Sequence, residues 1–137
     1  MTLVQHVLPY GDYATTFEHP SISVDTKRNI QEAISNICGS KREHERFKRE
    51  CTKAKENGCQ LIALIENADG VKSLENLEKW SNPDCVFRKK AVHGNRLSKA
   101  MRTMSERYGV KFLFCHPAET ASTIIRILEE ERWRQKI

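Results

Sequence analysis

Two carboxylates and an ammonium stand at a spacing that a fold can bring to one point. Asp12 lies in Gly11-Asp12-Tyr13, and Asp25 follows 13 positions later in Val24-Asp25-Thr26-Lys27. Side chains alternate along a strand, so Asp25 and Lys27 share one face while Val24 and Thr26 take the other. If the two segments pair as neighbouring strands, Asp12 converges on the same polar edge. Such a cluster is costly to assemble unless a cation neutralises the acids, and hard oxygen ligands with room for water suit Mg²⁺ or Mn²⁺. The chemistry implied is metal-assisted hydrolysis of a phosphodiester. Asp12, Asp25 and the backbone carbonyl of Thr26 would hold the ion, while Lys27 would orient the attacking water or steady the developing charge. A plainer reading competes: Asp12 as a turn residue, and Asp25 with Lys27 as an exposed pair worth very little.

A second set of residues suits a polyanion. The chain carries 23 Lys plus Arg against 18 Asp plus Glu, a formal net charge of +5. Residues 1–69 hold 9 basic and 10 acidic side chains, residues 70–137 hold 14 and 8, so the excess lies in the second half. Within it, Arg88, Lys89, Lys90, Arg96, Lys99, Arg102, Arg107 and Lys111 are interrupted by one acid, Glu106. At helical spacing Arg96, Lys99, Arg102 and Arg107 share a broad face opposite Leu97, Met101, Met104 and Tyr108. With Arg88, Lys89 and Lys90 before them, they could contact several phosphates of DNA, with salt-dependent and largely sequence-independent binding. A solvated basic face without a nucleic-acid role is the alternative. This surface is expected to border the Asp12/Asp25/Lys27 cleft. Trp80, Tyr108 and Phe87 are expected in the core rather than against bases.

The elements that must position these groups are legible from periodicity. Leu3–Leu8, Tyr10–Phe17 and Ser21–Lys27 read as three short strands of a meander. From Asn29 the pattern turns helical, with Ile30, Ala33, Ile34 and Ile37 on one face and Gly39 as a stop. A second helix is predicted from Lys41 to Asn57, burying Phe47, Cys51 and Ala54. Leu61–Ile65 is a continuous apolar run, which predicts a strand buried on both faces and a sheet covered by helices. A short helix over Ser73–Trp80, a helix over Asn95–Tyr108, a buried strand over Val110–Cys115 and a closing helix over Glu119–Trp133 complete the order. The class is α/β, a mixed sheet flanked by helices in a single domain over residues 1–137.

Taken together these landmarks resemble the XPF-type (ERCC-like) branch of the PD-(D/E)XK nucleases, especially small stand-alone members from phages and Gram-positive bacteria. The likeness rests on Gly11-Asp12-Tyr13, the apolar-acid-x-Lys segment Val24–Lys27 and the helix after it. It extends to His44-Glu45-Arg46-Phe47 with Glu50, the strand Gln60–Glu66, the segment Lys72–Trp80 and Phe112–Cys115. It implies a restriction-endonuclease-like fold and a Mg²⁺- or Mn²⁺-dependent DNA endonuclease acting on branched or flapped DNA. Asp12 and Asp25 match the family's metal ligands and Lys27 its catalytic lysine. Arg46 and Glu50 fall where the family places cleft-facing residues, to contact phosphate or tune the metal; a solvated i,i+4 pair explains them equally. The family's opening strand, with its Asp-x-Arg-Glu motif, has no counterpart in the 11 residues before Asp12. Thr26 and Gln31 stand where the family has Arg and Asp. Glu32 could stand in as an acidic neighbour, although a solvated place suits it better. These departures leave open a catalytically inactive nuclease fold that binds DNA or protein.

Composition excludes other classes. With 39% hydrophobic and 30% charged residues and few Gly or Pro, the chain is neither a disordered tail nor a repeat array. No apolar run approaches the roughly 20 residues of a membrane helix, and no signal peptide opens the chain, which predicts no membrane partner and a cytoplasmic place. Five cysteines without a Cys-x-x-Cys pair fit reduced, mostly buried thiols. An unpaired sheet edge, together with Leu3, Val4, Val7 and Leu8, makes a homodimer plausible.

Overall fold

Local signals in the chain account for where its elements begin. The computed structural model describes residues 10–15, 20–87 and 90–136, with side chains of the last helix through Glu131. Strand β1 is Tyr13–Ala14 and β2 is Ile22–Lys27. Helix α1, Ile30–Cys38, starts where the Asn29 side chain accepts from the Glu32 N–H at 2.8 Å. Helix α2, Lys41–Glu56, starts on Ser40 in the same way at 3.3 Å. Each cap satisfies a backbone donor that the first turn would otherwise leave unpaired. Strand β3 is Gln60–Glu66, α3 is Leu74–Glu78 and α4 is Gly94–Tyr108; β4, Lys111–Cys115, leads through a short 3-10 turn to α5, Thr120–Lys136.

The sheet runs β1-β2-β3-β4, with β1 antiparallel to β2 and the other pairs parallel. Both crossovers step the same way across the sheet. Right-handed connections must then lay their helices on the same face. That face carries Leu61, Ala63 and Ile65 of β3, which share one core with Ile30, Ala33, Phe47, Leu97 and Met101. Helix α5, after the last strand, covers the opposite face, where Val24, Ile62 and Leu64 meet Ile124, Ile127 and Leu128. Five successive apolar residues in β3 are thereby buried, as the unbroken run predicts.

The first expected strand, Leu3–Leu8, lies outside the described residues. Of the second, Tyr10–Phe17, the described residues hold the two-residue β1, which begins after Gly11 turns the chain with φ 72°; Thr16 and Phe17 lie outside the described residues. Strand β4 is less enclosed than predicted: Phe112 and Cys115 are buried while Leu113 and Phe114 are half-buried. It is the edge of the described sheet, so Phe114 and Leu113, packed against the cores on opposite faces, are covered on fewer sides.

A buried carboxylate holds β2 at its start. Glu131 of α5, 1% exposed, accepts through Oε1 from Ser21 N–H at 2.6 Å, Ser21 Oγ at 2.9 Å and Ile22 N–H at 3.2 Å. The closing helix therefore sets the position of the strand that carries Asp25 and Lys27. Among the described residues no helix is long and apolar enough to cross a membrane.

Candidate functional site

Gly11 allows the site to form. Its backbone passes so close to β2 that a Cβ there would sit 2.2 Å from Ser23 Oγ, and its φ of 72° is one that L side chains rarely adopt. The freed N–H donates to Glu50 Oε1 at 2.6 Å, bridging to α2 across 39 residues. Asp12 follows at once. Its N–H donates to Val24 O at 2.7 Å, and its Oδ2 accepts from Thr26 N–H at 3.0 Å and Thr26 Oγ1 at 3.1 Å. The short β1 pairing, Tyr13 against Val24, places this carboxylate beside Asp25.

Alternation along β2 sends Asp25 and Lys27 under α1 and α2, in register with Ala63 and Ile65 of the same core face. Each is only 7% exposed. The exposed cross-face pair is therefore not what the chain builds, since the helices that cover the sheet bury both charges. Lys27 Nζ stands 2.8 Å from Asp25 Oδ2, donates to Asn36 Oδ1 at 2.9 Å and lies 4.9 Å from the centre of the Phe47 ring. Asn36 is fixed in turn by its Nδ2, which donates to Glu32 O at 2.7 Å. The ammonium thus has an anion, a carbonyl and an aromatic face around it, which offsets its desolvation.

Asp25 is less well served. Its Oδ2 is buried without a well-directed hydrogen bond despite the nearby ammonium. Burial pushes the carboxyl up to about 7; Lys27 opposes the rise, while the Glu50 and Asp12 carboxylates add to it. Three acids gather around one cation. Lys27 offsets only one of these charges, and a divalent cation would bring the set to neutrality. The donor set is short, however: among the described residues no group of three or more His, Cys, Asp or Glu side chains is placed to hold a metal. Mg²⁺ accepts one or two carboxylates and keeps several waters, and Asp12 with Asp25 meets that demand.

The remaining predicted residues divide. Glu50 reaches the site, half-buried, through Gly11. Arg46 is exposed, and no ion pair joins it to Glu50 among the described residues, so the i,i+4 pair is not formed. The Glu32 carboxylate lies 3.6 Å from Arg28 Nε, while its backbone carbonyl holds Asn36. Arg88 and Lys89 lie outside the described residues. Lys90, Arg96, Lys99, Arg102 and Arg107 are exposed, opposite buried Leu97, Met101 and Met104. Arg102 faces α3, with Nη2 3.0 Å from Glu78 Oε1 and 3.9 Å from Glu75 Oε1, so part of the basic face is already paired. The expected border between the basic face and the acid cluster is indirect: among the described residues no ion pair joins them. Helix α1 packs against both β2 and α4, with Asn36 on Lys27 and Cys38 near Arg96.

Sequence reasoning missed Asn36 and Phe47 as partners of Lys27. Neither carries a local signal, because both meet the lysine only once α1 and α2 fold over the sheet. It also misplaced Phe87, expected in the core and found 87% exposed, while Trp80 and Tyr108 are half-buried against the core as expected. The cysteines are free, and only Cys85 is exposed. Burial raises Cys38, Cys51, Cys59 and Cys115, to about 12 for Cys51 and about 11 for Cys59, which keeps these thiols protonated and unreactive.

No protein-family model and no curated protein matches the chain.

Proposed function

We propose that this protein is a Mg²⁺- or Mn²⁺-dependent DNA endonuclease with a PD-(D/E)XK-like site, acting inside the cell on branched or flapped DNA. The observation that carries the reading is the buried Asp25–Lys27 pair, crowded by Asp12 and Glu50. A fold gains little stability from burying one carboxylate with a lysine beside two further, half-buried acids, since an apolar replacement would cost less. The mixed sheet with helices on both faces is compatible with the restriction-endonuclease-like architecture that the resemblance implies.

Asp12, Asp25 and the Thr26 carbonyl would hold the ion. When bound, it would neutralise charge on the scissile phosphate and lower the pKa of an attacking water. The chain's own groups do the rest. Thr26 fixes the Asp12 carboxylate through two hydrogen bonds. Asn36 and Phe47 restrain the Lys27 ammonium, so that it meets charge developing at the phosphate in one orientation. Glu50 anchors the Gly11 turn and thereby the position of Asp12. Exposed Lys90, Arg96, Lys99 and Arg107 would hold the DNA backbone.

The test is cleavage of linear, flapped and junction DNAs with and without Mg²⁺ or Mn²⁺. Cleavage that needs the metal and disappears in Asp12→Asn, Asp25→Asn and Lys27→Met supports the reading. Equal cleavage by all three variants overturns it. A second reading, a non-catalytic DNA- or protein-binding module, is favoured by the short donor set around Asp12 and Asp25. Salt-sensitive DNA binding with neither metal binding by calorimetry nor cleavage would select it.

A further inference from the structure

Val86 and Phe87 are the large apolar side chains that the described residues leave in solvent, at 79% and 87% exposure. They close a 3-10 turn, Pro83–Val86, that is braced from behind. Asn82, 2% exposed, donates through Nδ2 to Val92 O at 2.8 Å. Its Oδ1 accepts from Gln31 Nε2 at 2.6 Å and from Asp84 N–H at 2.9 Å, and its own N–H donates to His93 Nδ1 at 3.0 Å. Pro83 stiffens the turn further. An aromatic ring on so well-held a turn is presented rather than left over. Gln31 sits in the first turn of α1, four residues after Lys27, so the brace ties this tip to the helix that leaves the candidate site.

The charged residues that follow the tip in the chain, as far as Arg102, are all basic. Lys90 is exposed just beyond it, and Arg96 and Lys99 are exposed on the first turns of α4, against one half-buried acid, Asp84. The sequence also supplies Arg88 and Lys89 directly after Phe87. Two apolar side chains are too small a patch for a stable protein interface, which needs a contiguous surface of hundreds of Å². An exposed ring among cations is the composition that grips single-stranded nucleic acid, with bases stacked on the ring and phosphates held by the basic side chains.

We infer that Phe87 is a stacking platform for an unpaired base of single-stranded or flapped DNA, with Lys90, Arg96 and Lys99 serving its phosphates. This rests on the nucleic-acid reading above and specifies which part of the DNA is grasped. It also explains why Phe87 remains outside the core while Trp80, a few residues earlier, packs against it.

The experiment uses the full chain in EDTA, so that no cleavage intervenes, with fluorescence anisotropy on single-stranded DNA and on blunt duplex at fixed salt. Phe87→Ala is expected to weaken single-strand binding at least about fivefold and to leave duplex binding unchanged, with Phe87→Trp restoring the parent affinity. A 2-aminopurine base in the strand should be quenched by the parent and not by Phe87→Ala. Unchanged single-strand affinity, or equal losses on both DNAs, overturns the platform while leaving the DNA reading in place. Failure of the parent to bind any DNA at low salt removes the nucleic-acid reading itself, and the platform with it. Conversion of a dimer to a monomer by Phe87→Ala, with DNA affinity unchanged, would overturn the platform and assign the tip to a second copy of the chain.

Discussion

Replacing Asp25 by Asn removes one titrating carboxyl from a buried cluster, and the effect appears in how stability varies with pH. In the unfolded chain this carboxyl has an ordinary value of 3.8; in the folded chain burial and the neighbouring acids push it up to about 7. The folded state therefore holds the proton more tightly. Its contribution to stability is fully present below about 3.8, falls as pH rises through the window from 3.8 to 7, and is gone above it. One proton corresponds to about 1.4 kcal/mol per pH unit, so moving from pH 5 to pH 8 should cost the parent roughly 2 to 3 kcal/mol through Asp25 alone. Other groups titrate over the same range, and the loss of an anion beside Lys27 shifts the variant's absolute stability. Comparing the pH 5 to pH 8 change in parent and Asp25→Asn cancels both contributions where they do not depend on Asp25 ionisation. Urea unfolding in EDTA, followed by circular dichroism, supplies the four free energies. The parent should lose roughly 2 to 3 kcal/mol more than the variant. Equal pH dependence would refute the claim that Asp25 is held in a proton-retaining, charge-crowded site. Addition of Mg²⁺ at pH 8 should stabilise the parent and not the variant, because an ion that binds only the folded state shifts the equilibrium by mass action.

Four further outcomes follow from the geometry. Gly11→Ala combines an unfavourable φ with a 2.2 Å contact to Ser23 Oγ and should cost roughly 1 to 3 kcal/mol; Gly58→Ala, also at positive φ but facing open space, should cost less, and equal thermal shifts would refute the contact. Glu131→Ala leaves Ser21 and Ile22 without their acceptor and should cost roughly 2 to 4 kcal/mol, with Glu131→Gln milder; a change in denaturant midpoint too small to measure would refute the clamp. Under a thiol-reactive dye the native chain should show one fast cysteine, Cys85, and Cys85→Ser should abolish that phase. Lys27→Met should lower cleavage at least about a hundredfold, and Asn36→Ala should lower it less while sparing DNA affinity; an Asn36 effect confined to affinity would refute its role in holding the lysine.

Much of the architecture was legible because its determinants are local. Asn29 and Ser40 cap α1 and α2 where Ser, Thr, Asp or Asn preceding an amphipathic run predicts a helix start. The run Leu61–Ile65 announced a strand covered on both sides, and both sides are covered. The shared face of Asp25 and Lys27 followed from strand alternation. Other features depended on contacts far apart in the chain. Glu50 meets Gly11 across 39 residues and Glu131 meets Ser21 across 110, and no short pattern records either. Phe87 was expected inside because aromatic rings usually bury, yet the Asn82 brace turns its segment outward.

The sequence by itself determined strands β2, β3 and β4, helices α1, α2, α4 and α5, and that Asp25 and Lys27 share a face, because the periods of strand and helix are properties of consecutive residues. It also determined that the cationic excess lies in the second half of the chain. Only the tertiary structure decided whether the Asp25–Lys27 pair lies in water or under helices, that Asn36 and Phe47 steady the lysine, and that α1 separates the acid cluster from the basic face. Burial and ionisation depend on what packs against a group, and here the packing elements come from helices α1 and α2, which the strand's own residues do not specify.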